Sequence, residues 1–414
     1  MPLARLLLIA LTLLALPASA ADRKPNILLI LCDDLGYGDL ACYGNSKIKT
    51  PNIDRLAKEG IRFTQFYAAG VQCTPSRAGL LTGRYPVRFG LTHAFMENTG
   101  GIPASETLLP AAVQKQGYRT ALVGKWHLGD RAEDHPLRHG FDRFDGLLRG
   151  HDVGAREVWQ NEKIIEKNAA IEGLTDRWTT SAERIIAEES KRIEPWFVMV
   201  SHTSPHVPLG TAARFKGQST GGAYGDAVEE IDDSVGRLMR AIALAGAADH
   251  TVVFFTSDNG PSVDQGEKGG STGGLRGGKY SVYEGGISIP MIVWANNRWK
   301  PREVTKPAIL LDLMPTCVGL AGGKSAKNLD GVDLGGLLNG QPALEPRELL
   351  FYFRDEPRAC RSGDWKWVTE EGRDHLYNIH QDVREEKDIS AEHKEVVVRL
   401  KTRALTLTKA MKPE

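Results

Sequence analysis

Four stretches of this chain place ionisable or metal-capable side chains directly behind an apolar run. Asp33-Asp34 follow residues 26–32, and Gly124-Lys125-Trp126-His127 follow 118–123. His202-Thr203-Ser204-Pro205-His206-Val207-Pro208 follow 196–201, and Asp258-Asn259-Gly260 follow 251–257. In open α/β sheets ligands bind beyond the carboxyl ends of the strands, so these endings converge on one edge. Asp33, Asp34, Asp258 and Asn259 offer carboxylate and amide oxygens and no imidazole or thiolate. Hard donors of this kind favour Ca²⁺ or Mg²⁺ over zinc. Three carboxylates bring about −3 against the +2 of a divalent ion, so an anionic substrate is repelled unless cations offset them. Arg77, Lys125 and Lys279, with His127 and His206, are that supply. Taken singly, each stretch has a plainer reading. Asp33-Asp34 could be a capping turn, Asn259-Gly260 a turn dipeptide, Lys125 and His127 rim residues around an indole, and His206 an ordered loop histidine. Their coincidence at four strand ends argues for one site.

The elements that must position them are legible as an alternation. Apolar runs at 26–32, 118–123, 196–201, 251–257 and 289–294 are separated by amphipathic segments at 53–59, 106–116, 178–193 and 227–245. That order predicts an α/β fold, a large mostly parallel sheet sandwiched by helices. The Gly-rich 266–278 reads as a loop on the rim of the site. Near residue 320 the text changes. Residues 321–340 read as a surface excursion, 349–353, 365–369 and 375–379 as short strands, and 390–409 as a closing helix. The division expected is therefore a segment 1–20, a catalytic domain 24–320, and a small C-terminal subdomain 345–414 with an antiparallel sheet plus helix.

Segment 1–20 has an apolar stretch from Leu6 to Leu16 and then Pro17-Ala18-Ser19-Ala20. It is too short to span a bilayer comfortably and reads as a secretory signal peptide, placing the protein in a periplasm or outside the cell, with no membrane association after cleavage. Lys plus Arg number 52 and Asp plus Glu number 52, so no global field recruits nucleic acid or an anionic membrane. Any anion specificity has to be local. Five cysteines are few for an exported chain. With Cys73 set aside, spacing does not pair Cys32, Cys42, Cys317 and Cys360. Stability is expected from core burial and bound metal.

Cys73-Thr74-Pro75-Ser76-Arg77, continuing as Ala78-Gly79-Leu80-Leu81-Thr82-Gly83-Arg84, resembles the Cys-x-Pro-x-Arg signature of the type I sulfatases and its downstream Leu-x-Thr-Gly-Arg. Gly277-Gly278-Lys279-Tyr280-Ser281-Val282-Tyr283-Glu284-Gly285-Gly286 resembles that family's Gly-x-Lys-x-x-x-x-Glu-Gly-Gly block. Ser288 stands where the family often has Arg. Cys360-Arg361-Ser362-Gly363-Asp364-Trp365-Lys366, Leu376-Tyr377-Asn378 and Asp382 resemble its C-terminal subdomain. The resemblance runs from about residue 24 to about residue 390 and is nearest to arylsulfatase A-like and N-acetylgalactosamine-6-sulfatase-like members of the alkaline-phosphatase-like superfamily.

The resemblance implies that a maturation enzyme oxidises Cys73 to Cα-formylglycine. It also implies a single divalent cation, Ca²⁺ in preference to Mg²⁺, held by Asp33, Asp34, Asp258, Asn259 and residue 73. The aldehyde hydrate would attack sulfur and pass through a covalent sulfo-enzyme. Asp258 would be the base for the attacking hydroxyl, and Lys125 and Lys279 would hold sulfate oxygens. Lys279 or His206 would protonate the leaving alcohol, His127 would take the second hydroxyl proton, and Arg77 would anchor the hydrate. In Leu148-Arg149-Gly150-His151-Asp152, His151 is either a further sulfate contact or a surface loop histidine. The expectation is an exported sulfatase acting on a sulfated sugar. One alternative is a phosphoester or phosphonate hydrolase on the same fold, although Asn259 stands where the two-zinc phosphatases have a histidine. Another is a glycan-binding protein in which Cys73 is never oxidised.

Overall fold

Alternate residues of the strand Asn26–Cys32 enter two different cores: Ile27, Leu29 and Leu31 one, Leu28, Ile30 and Cys32 the other. A strand buried along its whole length must be covered on both faces. The computed structural model describes residues 23–95, 100–341 and 345–412; the expected signal peptide lies outside them. In it this strand is central to a ten-stranded sheet. From edge to edge the order is Arg302–Val304, Ile61–Phe63, Met291–Ala295, Thr251–Ser257, Asn26–Cys32, Trp196–Ser201, Arg119–Lys125, Arg143–Leu147, Val158–Gln160 and Lys163–Glu166.

The run from Thr251–Ser257 to Arg143–Leu147 is parallel throughout. Its register levels the carboxyl ends: Cys32 lies opposite Ser257, and Leu31 and Gly124 lie opposite Ser201. One face is covered by helices Pro51–Glu59, Leu174–Glu189 and Gly222–Leu244, the other by Cys73–Thr82, Leu109–Gln114 and Leu313–Leu320. The second face also carries the antiparallel C-terminal sheet, whose strands Glu348–Phe353, Glu356–Ser362, Trp365–Glu370 and Arg373–Asn378 pair in chain order. Helix Lys394–Met411 packs on it through Val397, Leu400 and Ala404. Phe351 meets Tyr67 with ring centroids 5.4 Å apart, so the two sheets share one core.

Several expectations shift. The strand expected at 118–123 runs Arg119–Lys125, so Lys125 ends it rather than following it. The helix expected at 106–116 is only Leu109–Gln114, because Pro110 fits the first turn and no later one. The helix expected at 178–193 is Leu174–Glu189, and Ile193 beyond it is exposed. The stretch 321–340 is no mere surface excursion: Leu334, Leu337 and Leu338 are buried, and Asp330 accepts from the Tyr85 amide and Arg88. The strand Glu356–Ser362 was not anticipated, since Pro357, Arg358 and Arg361 interrupt its apolar alternation. All five cysteines are free thiols.

Helix Gly222–Leu244 carries Glu230, buried, with Oε2 accepting the Ala212 amide at 3.2 Å and Oε1 without a partner. Burial pushes its carboxyl from the ordinary 4.5 up to about 7, against the pull of the Ala212 amide and Arg214. A raised carboxyl contributes stability below the unfolded value and loses it as pH rises through the folded one. Glu230→Gln should therefore match the parent near pH 4.5, gain on it up to about pH 7, and hold a lead on the order of 2 kcal/mol above that. Urea midpoints measured across the range check this.

Candidate active site

Cys73 begins the helix Cys73–Thr82, with Gln72 extended before it and Gly83 left-handed after it, donating back to Gly79 O. Pro75 sits in the first turn, where a missing N–H costs nothing. The helix start also presents free N–H groups and the positive end of the dipole, a favourable place for an anion. The helix is buried along its length, and the Ser76 hydroxyl donates to Asp258 O. Thr74 donates to His127 O at 3.1 Å and accepts from the Phe95 amide at 2.8 Å. The two unspecified positions of Cys-x-Pro-x-Arg thus fasten the helix to two strand-end loops. Their hydroxyls were the only available signal.

The strand ends converge as expected. One oxygen each from Asp33, Asp34 and Asp258 and the Cys73 sulfur lie within 4.8 Å of one another. Cys73 Sγ is 3.2 Å from Asp33 Oδ1. Three cations face the three carboxylates. Lys125 Nζ donates to Asp33 Oδ2 at 2.6 Å, Lys279 Nζ to Asp34 Oδ2 at 2.7 Å, and Arg77 Nη2 lies 2.8 Å from Asp258 Oδ2 and 3.4 Å from Asp33 Oδ1. All six side chains are nearly out of solvent. Removing such charges from water is costly unless each is paired and hydrogen-bonded, and here each is. Arg77 is fixed further by Ser201 Oγ at 2.6 Å, and Ser262 Oγ donates to Asp34 Oδ2 at 3.0 Å. Neither Ser201, at a strand end, nor Ser262, in the loop beyond Asn259, carries a pattern that marks it in the sequence.

The charges sort the ionisable groups. Burial pushes Asp33 up, but Lys125, then His206, Arg77 and Lys279, hold it well below the carboxylate range. Burial outweighs Arg77 at Asp258 and lifts it to about 6. Burial, then Asp33, raises the Cys73 thiol well above its ordinary value. A thiol nucleophile needs the opposite environment, so this cysteine is poorly set up to act as a thiolate. His127 is held neutral by burial and by Lys125 and Arg77. Both its ring nitrogens lack partners, and its φ is +59°. Asp34, at +63°, is also left-handed. Backbone outliers of this sort cluster at functional sites.

His151 is buried beside His206. It is 1% exposed, its Nε2 lies 3.1 Å from Pro208 O, and its ring meets that of His206 edge-on at 5.6 Å. Burial and the neighbouring His206 lower it to about 4. It is not a surface loop histidine. His206 Nε2 lies 3.6 Å from Asp34 Oδ2.

The donors fit a hard divalent cation. Asn259 Nδ2 donates to Asp34 Oδ1 at 2.7 Å and to Gly260 O, leaving the buried Oδ1 without a partner beside the carboxylates. An orphaned amide oxygen among three carboxylates is the donor chemistry of a Ca²⁺ or Mg²⁺ site.

The loop that presents Lys279 is braced from the C-terminal sheet. Glu284 begins the short helix after it and accepts from Lys366 Nζ at 2.9 Å, Tyr67 OH at 2.9 Å and Ser288 Oγ at 2.9 Å. Lys366 Nζ also pairs with Glu385 at 2.8 Å, and Glu385 accepts the Glu284 amide. Ser288, where the family often has Arg, is thus a hydroxyl partner of Glu284, and the cation comes from Lys366. In the sequence Lys366 is part of a motif and shows no partner.

A family model described as Sulfatase matches residues 25–323. N-acetylgalactosamine-6-sulfatase of Mus musculus is 39% identical over 381 residues, covering 85% of this chain and 73% of its own. Arylsulfatase A of Bos taurus is 38% identical over 390 residues, covering 86% and 77%. A crystal structure of Ps i-CgsB in complex with k-i-k-neocarrahexaose superposes with a TM-score of 0.85 at 28% identity, covering 93% of each chain.

Two outcomes test this geometry. Ca²⁺ added to chelator-stripped protein should stabilise it by about 2.7 kcal/mol at a hundredfold excess over Kd, and Asp34→Asn should lose most of that gain in calorimetry. Lys366→Met should cost about 3–5 kcal/mol in denaturant titration, because it leaves Glu284 and Glu385 buried without their cation.

Proposed function

Because the chain belongs to the sulfatase family and is a sulfuric ester hydrolase, we propose that it cleaves sulfate esters of sugars, with Cys73 oxidised to Cα-formylglycine and one Ca²⁺ beside it. The observation that carries the reading is the meeting of Cys73 with three carboxylates and three cations at the carboxyl edge of the sheet. A sugar substrate is supported by relatives named for N-acetylgalactosamine 6-sulfate and by a related structure holding a neocarrahexaose. The segment 1–20 supports export to a periplasm or the exterior, and no described helix is long and apolar enough to cross a membrane.

Asp33, Asp34, Asp258 and Asn259 would hold the cation, which supplies Lewis acidity. The aldehyde hydrate at position 73 would supply one hydroxyl to bond sulfur and a second that re-forms the carbonyl as the carbon–oxygen bond to sulfate breaks. The chain's own groups do the rest. Asp258, lifted towards neutrality, accepts a proton from residue 73 at a carboxylate oxygen. Lys125 and Lys279 exchange a carboxylate partner for sulfate oxygens and offset the growing negative charge. His206, partly exposed beside Asp34, or Lys279 delivers a proton to the leaving alcohol. His127, neutral with both nitrogens free of partners, would take the proton of the second hydroxyl at residue 73 as the bond to sulfate breaks. Arg77 keeps Asp258 and Asp33 in place, and His151 walls the sulfate side through His206.

Phosphoester or phosphonate hydrolysis is the reading to measure against, since fold alone does not fix the leaving group. Cys73→Ala should lower sulfate release from an aryl sulfate by about a thousandfold or more. Mass spectrometry of the peptide containing residue 73 should show a loss of about 18 Da relative to the thiol. An aryl phosphate turned over faster than the aryl sulfate, or an intact thiol in active protein, would sink the proposal.

A further inference from the structure

Tyr280 follows Lys279 directly and has φ of +71°, a conformation a bulky side chain rarely adopts. Its amide donates to Val71 O at 3.0 Å, tying it to the segment that leads into Cys73. Its side chain gains little from packing: the residue is 50% exposed. Glycine would take the same backbone without strain, as Gly277 does three residues earlier at φ +78°. Stability therefore does not account for a tyrosine here. Strain kept without a packing reward points to function.

The ring stands where a substrate would meet it. Its centroid is 5.6 Å from the Lys279 ammonium, so an ester whose sulfate engages Lys279 has its carbon skeleton within reach of the aromatic face. On the other side the ring lines a groove of about 210 Å³ with Tyr283, Phe353, Arg358 and Glu370. The groove has a firm wall: Arg276 stacks on Tyr283 at 3.8 Å, and Tyr283 OH donates to Glu370 at 2.9 Å. Arg358 pairs with Glu356 at 2.6 Å through one nitrogen and leaves its buried Nε without a partner. Aromatic faces with a few convergent polar groups suit a ring that is apolar on its face and polar at its edge. Saccharides have that character.

We propose that Tyr280 is a platform for the sugar ring that carries the scissile sulfate, and that the groove beyond it receives the adjoining saccharide. The inference rests on the sulfated-sugar reading above and adds a subsite to it.

The test uses mono-O-sulfated galactose, N-acetylgalactosamine and fucose, each as monosaccharide and disaccharide. Tyr280→Gly should fold at least as stably as the parent and raise KM for the best disaccharide at least about tenfold, with kcat within about threefold. The monosaccharide, which carries the same sulfated ring, should lose about as much, and Tyr280→Phe should stay within about threefold throughout. An unchanged KM, or a fall in kcat at constant KM, overturns the platform and leaves Tyr280 as a backbone support for Lys279. Calorimetric Kd values for the same disaccharides on Cys73→Ser, with and without Tyr280→Gly, need no turnover. There a tenfold weakening supports the platform, and equal affinity or no binding overturns it. If the parent releases sulfate from no sugar in the panel, the proposed substrate class fails separately from this measurement.

Discussion

Three buried carboxylates face three buried cations at one sheet edge, and the site depends on their balance. Asp33, Asp34 and Asp258 answer Lys125, Lys279 and Arg77 nearly pair by pair. Neither set is tolerable alone, because an unpaired charge so far from water costs several kcal/mol. A divalent cation added to the carboxylates would tip the sum to positive and free the lysines for an anionic ligand. Pairing in one state and release in the other follow from the same arrangement.

The parallel strands make that arrangement possible. Cys32, Ser201, Ser257 and Lys125 end within a residue or so of one another in register, so residues distant in sequence arrive at one depth. The helix from Cys73 is docked against those ends by Thr74, Ser76 and Arg77 rather than by apolar packing alone. Left-handed backbone at Asp34 and His127 turns each chain sharply back over the edge.

What could be read beforehand was what repeats or alternates. The central strands declared themselves because burial on both faces makes them apolar throughout, and the polar residues behind them marked the edge. The edge hairpin at Val158–Gln160 and Lys163–Glu166 and the strand Glu356–Ser362 did not, since exposed or charged positions break their alternation. The metal-type oxygens, the lysines and the histidines were visible as residue types at strand ends. Thr74, Ser76, Ser201, Ser262 and Lys366 were not, because a hydroxyl or a lysine gains meaning only from the partner it meets in three dimensions. His151 shows the same limit: a loop histidine is ambiguous until its burial is seen.

The brace from Lys366 and Glu385 to Glu284 has a consequence for timing. Residue 73 is 3% exposed in the finished fold, so any enzyme that rewrites its side chain must reach it earlier. The segment bearing Lys279 is clamped by Lys366 and Glu385, which lie 82 and 101 positions beyond Glu284 in the chain. A ribosome would release residue 73 well before Lys366 and Glu385, and so before the clamp on the Lys279 segment can form. The order of the chain thus leaves an interval for chemistry that the completed architecture forbids.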